Sequence, residues 1–74
     1  MNKKGYKSTD ELNEFLDNVP HKDYKIWKQR IAELCMVSPA VIRFWLDGST
    51  KIPKICKRII ENAAGRKIFS YEDD

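Results

Sequence analysis

Apolar residues recur at helical spacing along the chain, in four stretches separated by proline, glycine and short polar residues. Those of the first stretch follow one helical face: Leu12, Phe15, Leu16 and Val19. Ser8, followed three residues later by Glu11, has the spacing of a capping box, and Pro20 cannot continue a helix. The pattern predicts a first helix over about residues 9–18.

The next stretch predicts two helices joined by a very short turn. Asp23 suits the N-cap of a second helix over about residues 24–35, and Ser38 followed by Pro39 suits the start of a third that runs to about Asp47. Gly48 is placed to end the third helix. The apolar stripe of the second helix consists of Tyr24, Trp27, Ile31 and Leu34.

A fourth helix opens at Pro53 and ends at Gly65. Its predicted apolar face consists of Ile52, Ile55, Cys56, Ile59, Ile60 and Ala63. Ile68 and Phe69 are expected to fold back, as a short strand or as a dimer contact. The sequence thus predicts a small all-α domain of four or five helices over residues 8–70, between a flexible basic arm (1–7) and a disordered acidic tail (71–74).

Residues 27–48 fall where two crossed helices must meet. Ala32 leaves room for a second helix to pass close, and Val37 fills the bend between the helices. Ile42 and Trp45 face back onto the first of the two. This spacing is typical of a helix-turn-helix.

The same stretch resembles the helix-turn-helix of the phage repressor and Cro-like superfamily. The residues that carry the resemblance are Ile31, Ala32, Cys35, Met36, Val37, Ser38, Ile42, Trp45 and Gly48. The resemblance implies a lambda-repressor-like fold and sequence-specific binding of double-stranded DNA. The third helix would lie in the major groove and the second across the backbone, as in repressor-like regulators of phages or mobile elements. Members of this superfamily commonly bind two half-sites, so a homodimer is also expected.

Two positions depart from the pattern of that superfamily. Met36 stands where the turn usually has glycine, and Val41 stands where a short polar residue is usual. A left-handed backbone costs a residue other than glycine roughly 1 kcal/mol. Either the turn is strained at Met36, or the two helices join in a different way.

The outward N-terminal and middle turns of the third helix hold the candidates for base readout: Ser38, Pro39, Ala40, Arg43 and Phe44. The Arg43 guanidinium can pair with guanine O6 and N7, and Ala40 and Phe44 can touch thymine methyl groups. Simpler readings stay open. Arg43 can form an ion pair with Asp47 at i+4, and Phe44 can pack against a neighbour or a dimer partner.

Candidates for phosphate contact surround the same unit: Lys28, Gln29, Thr50, Lys51 and Lys54. The net charge is +3, but residues 21–71 alone carry eleven basic side chains against four acidic ones. A helix N-terminus flanked by lysines favours an anion. Lys51 and Lys54 can equally serve solubility. The N-terminal lysines can follow a groove of DNA or form a disordered tail.

The remaining chemistry points away from catalysis, metals and membranes. Cys35 and Cys56 are expected to be buried free thiols, and a single histidine, His21, gives no zinc spacing. Its position in a proline-containing connection predicts an exposed loop residue. No nucleophile motif or phosphate loop accompanies the carboxylates of the first helix. The expectation is therefore a protein without enzyme activity, cofactor or small-molecule substrate. The chain shows no signal peptide or membrane span, so a cytoplasmic location and no membrane partner are expected.

A second hypothesis comes from a different functional class. The outward face of the third helix has one strong hydrogen-bond donor, Arg43, and an apolar side chain, Phe44. Such a face also suits a protein partner. On this hypothesis the helix-turn-helix is a scaffold for protein interaction, as an adaptor or an antitoxin-like partner.

Overall fold

In a computed structural model, which describes residues 6–72, four α-helices follow one another along the chain. They are α1 (Lys7–Asn18), α2 (Tyr24–Cys35), α3 (Pro39–Asp47) and α4 (Lys54–Ala64), and a 3-10 turn at His21–Asp23 leads into α2. The described residues contain no strand. The prediction of an all-α chain is confirmed, at the lower of the two helix numbers expected.

Side chains do not cap the helix starts that they were predicted to cap. Tyr6, not Ser8, precedes α1, and Ser8 is fully buried within the helix. The carboxylate of Glu11 accepts a hydrogen bond from the backbone N–H of Ser70 at 3.1 Å, so the predicted capping box is wrong. Asp23 and Ser38 occupy N-cap positions, but neither side chain makes a capping hydrogen bond.

One hydrophobic core unites the four helices and the segment that follows α4. Its buried residues are Leu12, Phe15, Leu16, Ile31, Ala32, Ile42, Trp45, Ile52, Cys56, Ile60 and Phe69. Full burial of an aliphatic or aromatic side chain contributes about 1.5–3 kcal/mol each. The rings of Phe15 and Trp27 meet edge to face, 5.2 Å apart, and so join α1 to α2.

The inward face of α4 is rotated from the predicted one. Ile55 and Ala63 are exposed, whereas Lys57 is completely buried. The segment after α4 folds back over the side of the helix that holds Lys57. The ring of Tyr71 lies 5.4 Å from the Lys57 Nζ. On α2, Leu34 is also exposed, so the predicted stripe of that helix ends one turn early.

The carboxylate of Glu61 holds the returning segment in place. Its Oε2 accepts hydrogen bonds from the backbone N–H groups of Ile68 (2.9 Å) and Phe69 (2.8 Å), and its Oε1 accepts one from the Tyr71 hydroxyl (2.8 Å). Phe69 is only 1% exposed. Ile68 and Phe69 do not form a strand. Phe69 packs into the core of its own chain, so it is not the dimer contact that was the other expectation.

The two described ends of the chain lie against each other. Lys7, placed by the sequence in the N-terminal arm, is the first residue of α1, and its Nζ lies 3.5 Å from the Glu72 carboxylate. Tyr71, placed by the sequence in the acidic tail, is bound to Glu61. The rest of the expected arm and tail, residues 1–5 and 73–74, lies outside the described residues.

The pKa of Glu61 makes this attachment dependent on pH. Partial burial alone would raise that pKa, but the hydrogen bonds from Phe69, Ile68 and Tyr71, with the charge of Lys67, outweigh it and lower the pKa below its usual range. A carboxylate with a lowered pKa in the folded state stabilises the fold above its unfolded pKa of about 4.3. That stability is lost as the pH falls through the folded pKa.

Glu61→Gln should therefore destabilise the protein at pH 7 by about 1–3 kcal/mol, because several hydrogen bonds to a charged acceptor are weakened together. It should also reduce the loss of stability between pH 5 and pH 2. Urea unfolding at a series of pH values measures both effects. Glu14→Gln, on the exposed face of α1, is the matched control and should change neither. If both variants have the wild-type pH dependence, Glu61 does not hold the segment as described.

Candidate nucleic-acid interface

Met36 adopts the left-handed conformation that the turn between α2 and α3 requires, with φ 59° and ψ 44°. The N–H of Met36 donates to the carbonyl of Glu33 (3.2 Å), and the N–H of Val37 donates to the carbonyl of Ala32 (3.0 Å). These two bonds form a Schellman motif, in which glycine is the usual residue at the position of Met36. Of the two alternatives for this turn, the strained one is observed.

Small and apolar side chains fix α3 against α2. Ala32 is 4% exposed, Ile42 1% and Trp45 2%, and Val37 packs against the same core. Gly48, with φ 83°, then ends α3 in the left-handed conformation. The inward positions of Ala32, Ile42 and Trp45 and the end of α3 at Gly48 are those that the sequence predicted.

Asn13 of α1 forms a hydrogen bond to α3 that was not predicted from the sequence. Its side-chain amide donates to the carbonyl of Thr9 (3.0 Å) and to the carbonyl of Leu46 near the end of α3 (3.1 Å). Asn13 follows the apolar Leu12 and shows no signal of this role in its spacing. The contact spans 33 positions in sequence, so only the packed structure reveals it.

The candidates for base readout lie together on the outward side of α3. Ser38, Pro39, Ala40, Arg43 and Phe44 are all exposed. In the described part of the chain no ion pair joins Arg43 to Asp47, so the guanidinium of Arg43 is directed to solvent. Phe44 is 44% exposed and lies outside the core. The arrangement presents one forked donor and one aromatic ring side by side.

A groove lined by apolar surface and bordered by two lysines lies beside the start of α3. It has a volume of about 270 Å³ and is lined by Lys25, Lys28, Gln29, Pro39 and Ile42. The Lys28 ammonium lies 5.2 Å from the centre of the Tyr24 ring, which favours one orientation of this side chain. Lys25 was not among the sequence candidates. Its spacing of three and four residues from Lys28 and Gln29 on one helix is the signal that could have found it.

The other phosphate candidates do not join this groove. Thr50, Lys51 and Lys54 are exposed between α3 and the first turn of α4, and the backbone N–H of Thr50 is directed to the carbonyl of Phe44 at 3.5 Å. Lys54 lines a separate groove with Arg58, Glu61, Asn62 and Tyr71. The candidates are therefore divided between two regions, and only Lys28 and Gln29 lie beside the start of α3.

The two cysteines are neighbours across α2 and α4, and both are free thiols. Burial of Cys35, together with a hydrogen bond to Cys56, raises its pKa to about 12, so this thiol is protonated at neutral pH. The described residues hold no group of three side chains suited to bind a metal ion. None of the helices described is long and apolar enough to cross a membrane.

Comparison of the chain with known protein families, with curated proteins and with solved structures gives no match in any of the three.

Met36→Gly should stabilise the protein by about 1 kcal/mol, because glycine adopts the left-handed conformation without the Cβ clash. The Met36 side chain is 89% exposed, so little packing is lost with it. Urea unfolding measures the change. Met36→Ala retains the Cβ and should stay within about 0.5 kcal/mol of the wild type. Equal stability of the glycine and alanine variants would contradict the presence of strain at this turn.

Proposed function

We propose that this protein binds double-stranded DNA through the outward face of α3, as a transcriptional regulator similar to the phage repressor and Cro-like helix-turn-helix proteins. One observation carries the proposal. The exposed start of α3 shares a groove with Lys25, Lys28 and Gln29 of α2, so two lysine side chains lie next to the proposed readout surface.

The dimensions of α3 suit the major groove. An α-helix with its side chains is about 10–12 Å in diameter, and the major groove of B-DNA is about 12 Å wide and admits one α-helix. The nine residues of α3 give it a length of about 14 Å. Because Ile42 and Trp45 hold the opposite side of α3 in the core, Arg43 and Ala40 can approach base edges without unfolding the helix. Arg43 is the side chain best suited to specify a base, since its fork matches guanine O6 and N7.

The lysines of α2 would supply the part of the affinity that is independent of sequence. Each lysine that neutralises a phosphate releases condensed counterions, which makes binding fall with salt. Lys25 and Lys28 lie one turn apart on α2, next to Pro39 at the start of α3. In this arrangement α2 contacts the backbone while α3 enters the groove.

Selection from random duplexes, followed by fluorescence anisotropy on the selected duplex and on a scrambled one, tests the proposal. Arg43→Ala should weaken binding to the selected duplex by about 1–3 kcal/mol and relax its preference over the scrambled one. Lys28→Ala should weaken binding to both duplexes by the same factor. It should also reduce by about 1 the slope of log affinity against log salt concentration.

Lys67→Ala, which removes an exposed lysine beyond α4, is the matched control for charge and should leave the salt slope unchanged. Circular dichroism establishes that each variant is folded. No binding by the wild type at low salt would exclude the proposal. Equal effects of Lys67→Ala and Lys28→Ala would show that binding reports net charge only.

Phe44 favours a second candidate function, that of a helix-turn-helix scaffold for protein interaction. A ring that is 44% exposed beside Arg43 suits the centre of a protein interface, where aromatic and arginine side chains are enriched.

Phe44→Ala separates the two functions. If this face serves DNA, the variant should bind the selected duplex more weakly in the anisotropy assay, because the contact with thymine methyl groups is lost. If the face serves a protein, DNA binding should be unchanged while a pull-down partner is lost. Phe44→Leu keeps an apolar side chain and controls for a general effect on α3. Unchanged results in both assays would exclude Phe44 from either role.

A further inference from the structure

Two thiols lie together where α2 ends and α4 begins. Cys35 is the last residue of α2, and Cys56 is the third residue of α4. Cys56 belongs to the hydrophobic core, and the half-buried Cys35 packs against that core. The two side chains are close enough to share a hydrogen bond. Because a disulfide requires two cysteine side chains that already meet in the fold, this pair is placed to form one.

The chain between these thiols contains the whole of α3. Residues 36–55 begin with the left-handed turn at Met36, continue through α3, and include Ile52, whose side chain is fully buried. A bond between Cys35 and Cys56 closes these 20 residues into a loop. Closure removes conformational freedom from the unfolded chain, so it stabilises the folded state in which α3 is packed.

We propose that Cys35 and Cys56 form a modification site, at which a low-molecular-weight disulfide oxidises them to an internal disulfide that encloses α3. The Cys35 sulfur, the more exposed of the two, attacks one sulfur of the small disulfide. A new S–S bond forms to Cys35, the S–S bond of the small disulfide breaks, and one small thiol leaves with the Cys35 proton. The Cys56 sulfur then attacks the Cys35 sulfur and displaces the second small thiol, which takes the Cys56 proton. The two cysteines lose two electrons and two protons, and the small disulfide gains them.

Burial controls the rate of this reaction. The thiolate is the attacking species, and burial of Cys35, together with the neighbouring Cys56 thiol, raises the Cys35 pKa to about 12. Below that pKa the thiolate fraction rises about tenfold with each pH unit, so oxidation is slow at neutral pH and faster in alkali. A thiol of high pKa is also a poor leaving group, so the disulfide is reduced slowly once it has formed. The site therefore suits a lasting cross-link of the fold.

Incubation of the full chain with hydroxyethyl disulfide, followed by mass spectrometry, tests the proposal without DNA and independently of the proposed function. The folded protein at micromolar concentration should lose two hydrogens and stay monomeric. Trypsin should then release residues 31–43 linked to residues 55–57. Excess mercaptoethanol should slowly restore both thiols. The rate of formation should rise about tenfold per pH unit between pH 7 and pH 9, because the thiolate is the nucleophile.

Two variants separate the two steps. Cys56→Ala should stop at the mixed disulfide on Cys35, because no second sulfur displaces the small thiol. Cys35→Ala should react more slowly in the folded protein, since Cys56 is only 6% exposed. Urea unfolding, followed by tryptophan fluorescence, should give the oxidised wild type a folding equilibrium constant about a hundredfold larger than that of the reduced protein. Neither variant should gain stability from the same treatment.

Circular dichroism checks that each protein is folded before oxidation. A folded wild type that gives linked dimers or a stable mixed disulfide in place of the internal bond overturns the proposal, and so does one that does not react at pH 9. An internal bond that forms only in urea also overturns it, because the fold then does not bring the two sulfurs together. An oxidised protein no more stable than the reduced one would show that the closed loop does not hold α3, with the same consequence.

Discussion

The left-handed backbone at Met36 is the constraint on which the candidate interface depends. It turns the chain between α2 and α3 within three residues, and Ile42 and Trp45 of α3 share the core with Ala32. Once those two side chains are inside, the helical period places Arg43 and Phe44 outside. A residue other than glycine holds this conformation at a cost of about 1 kcal/mol, which the burial of α3 must exceed.

Hydrogen bonds over long sequence distances supplement a small core. Asn13 ties α1 to the end of α3, and Glu61 holds the segment that brings Phe69 into the core. A domain of this size buries a smaller share of its surface than a larger one. By holding the segment that brings Phe69 into the core, the Glu61 carboxylate therefore adds the burial of Phe69 to the stability that its own hydrogen bonds provide. The cost is sensitivity to acid, since protonation of Glu61 weakens all three hydrogen bonds at once.

The ends of α3 could be predicted from the sequence because single residues within the chain determine them. Pro39 and Gly48 fix the ends of α3, because proline lacks an N–H and glycine accepts the left-handed conformation. The predictions at Glu11 and Lys57 failed for a shared reason. Glu11 binds Ser70, 59 positions away, and the ring of Tyr71, which follows α4, lies over the buried Lys57, so neither outcome is decided by neighbours in sequence. The exposure of the α3 face followed from helical period, whereas the separation of Lys28 from Lys54 depends on how the helices are rotated in the packed structure.

Three sides of α2 differ in burial and in the chemistry of their side chains. One side is buried with Ile31 and Ala32, a second carries Lys25 and Lys28 beside the start of α3, and a third carries Ile26 and Leu34 in solvent. Lysines at the second side attract a polyanion, and their hydrated charge disfavours a dry protein contact there. The third side combines exposed apolar side chains with one positive and one negative charge, those of Arg30 and Glu33, and so lacks the excess of positive charge found at the second. Because Gln29 lines both grooves, the two surfaces adjoin along one row of α2.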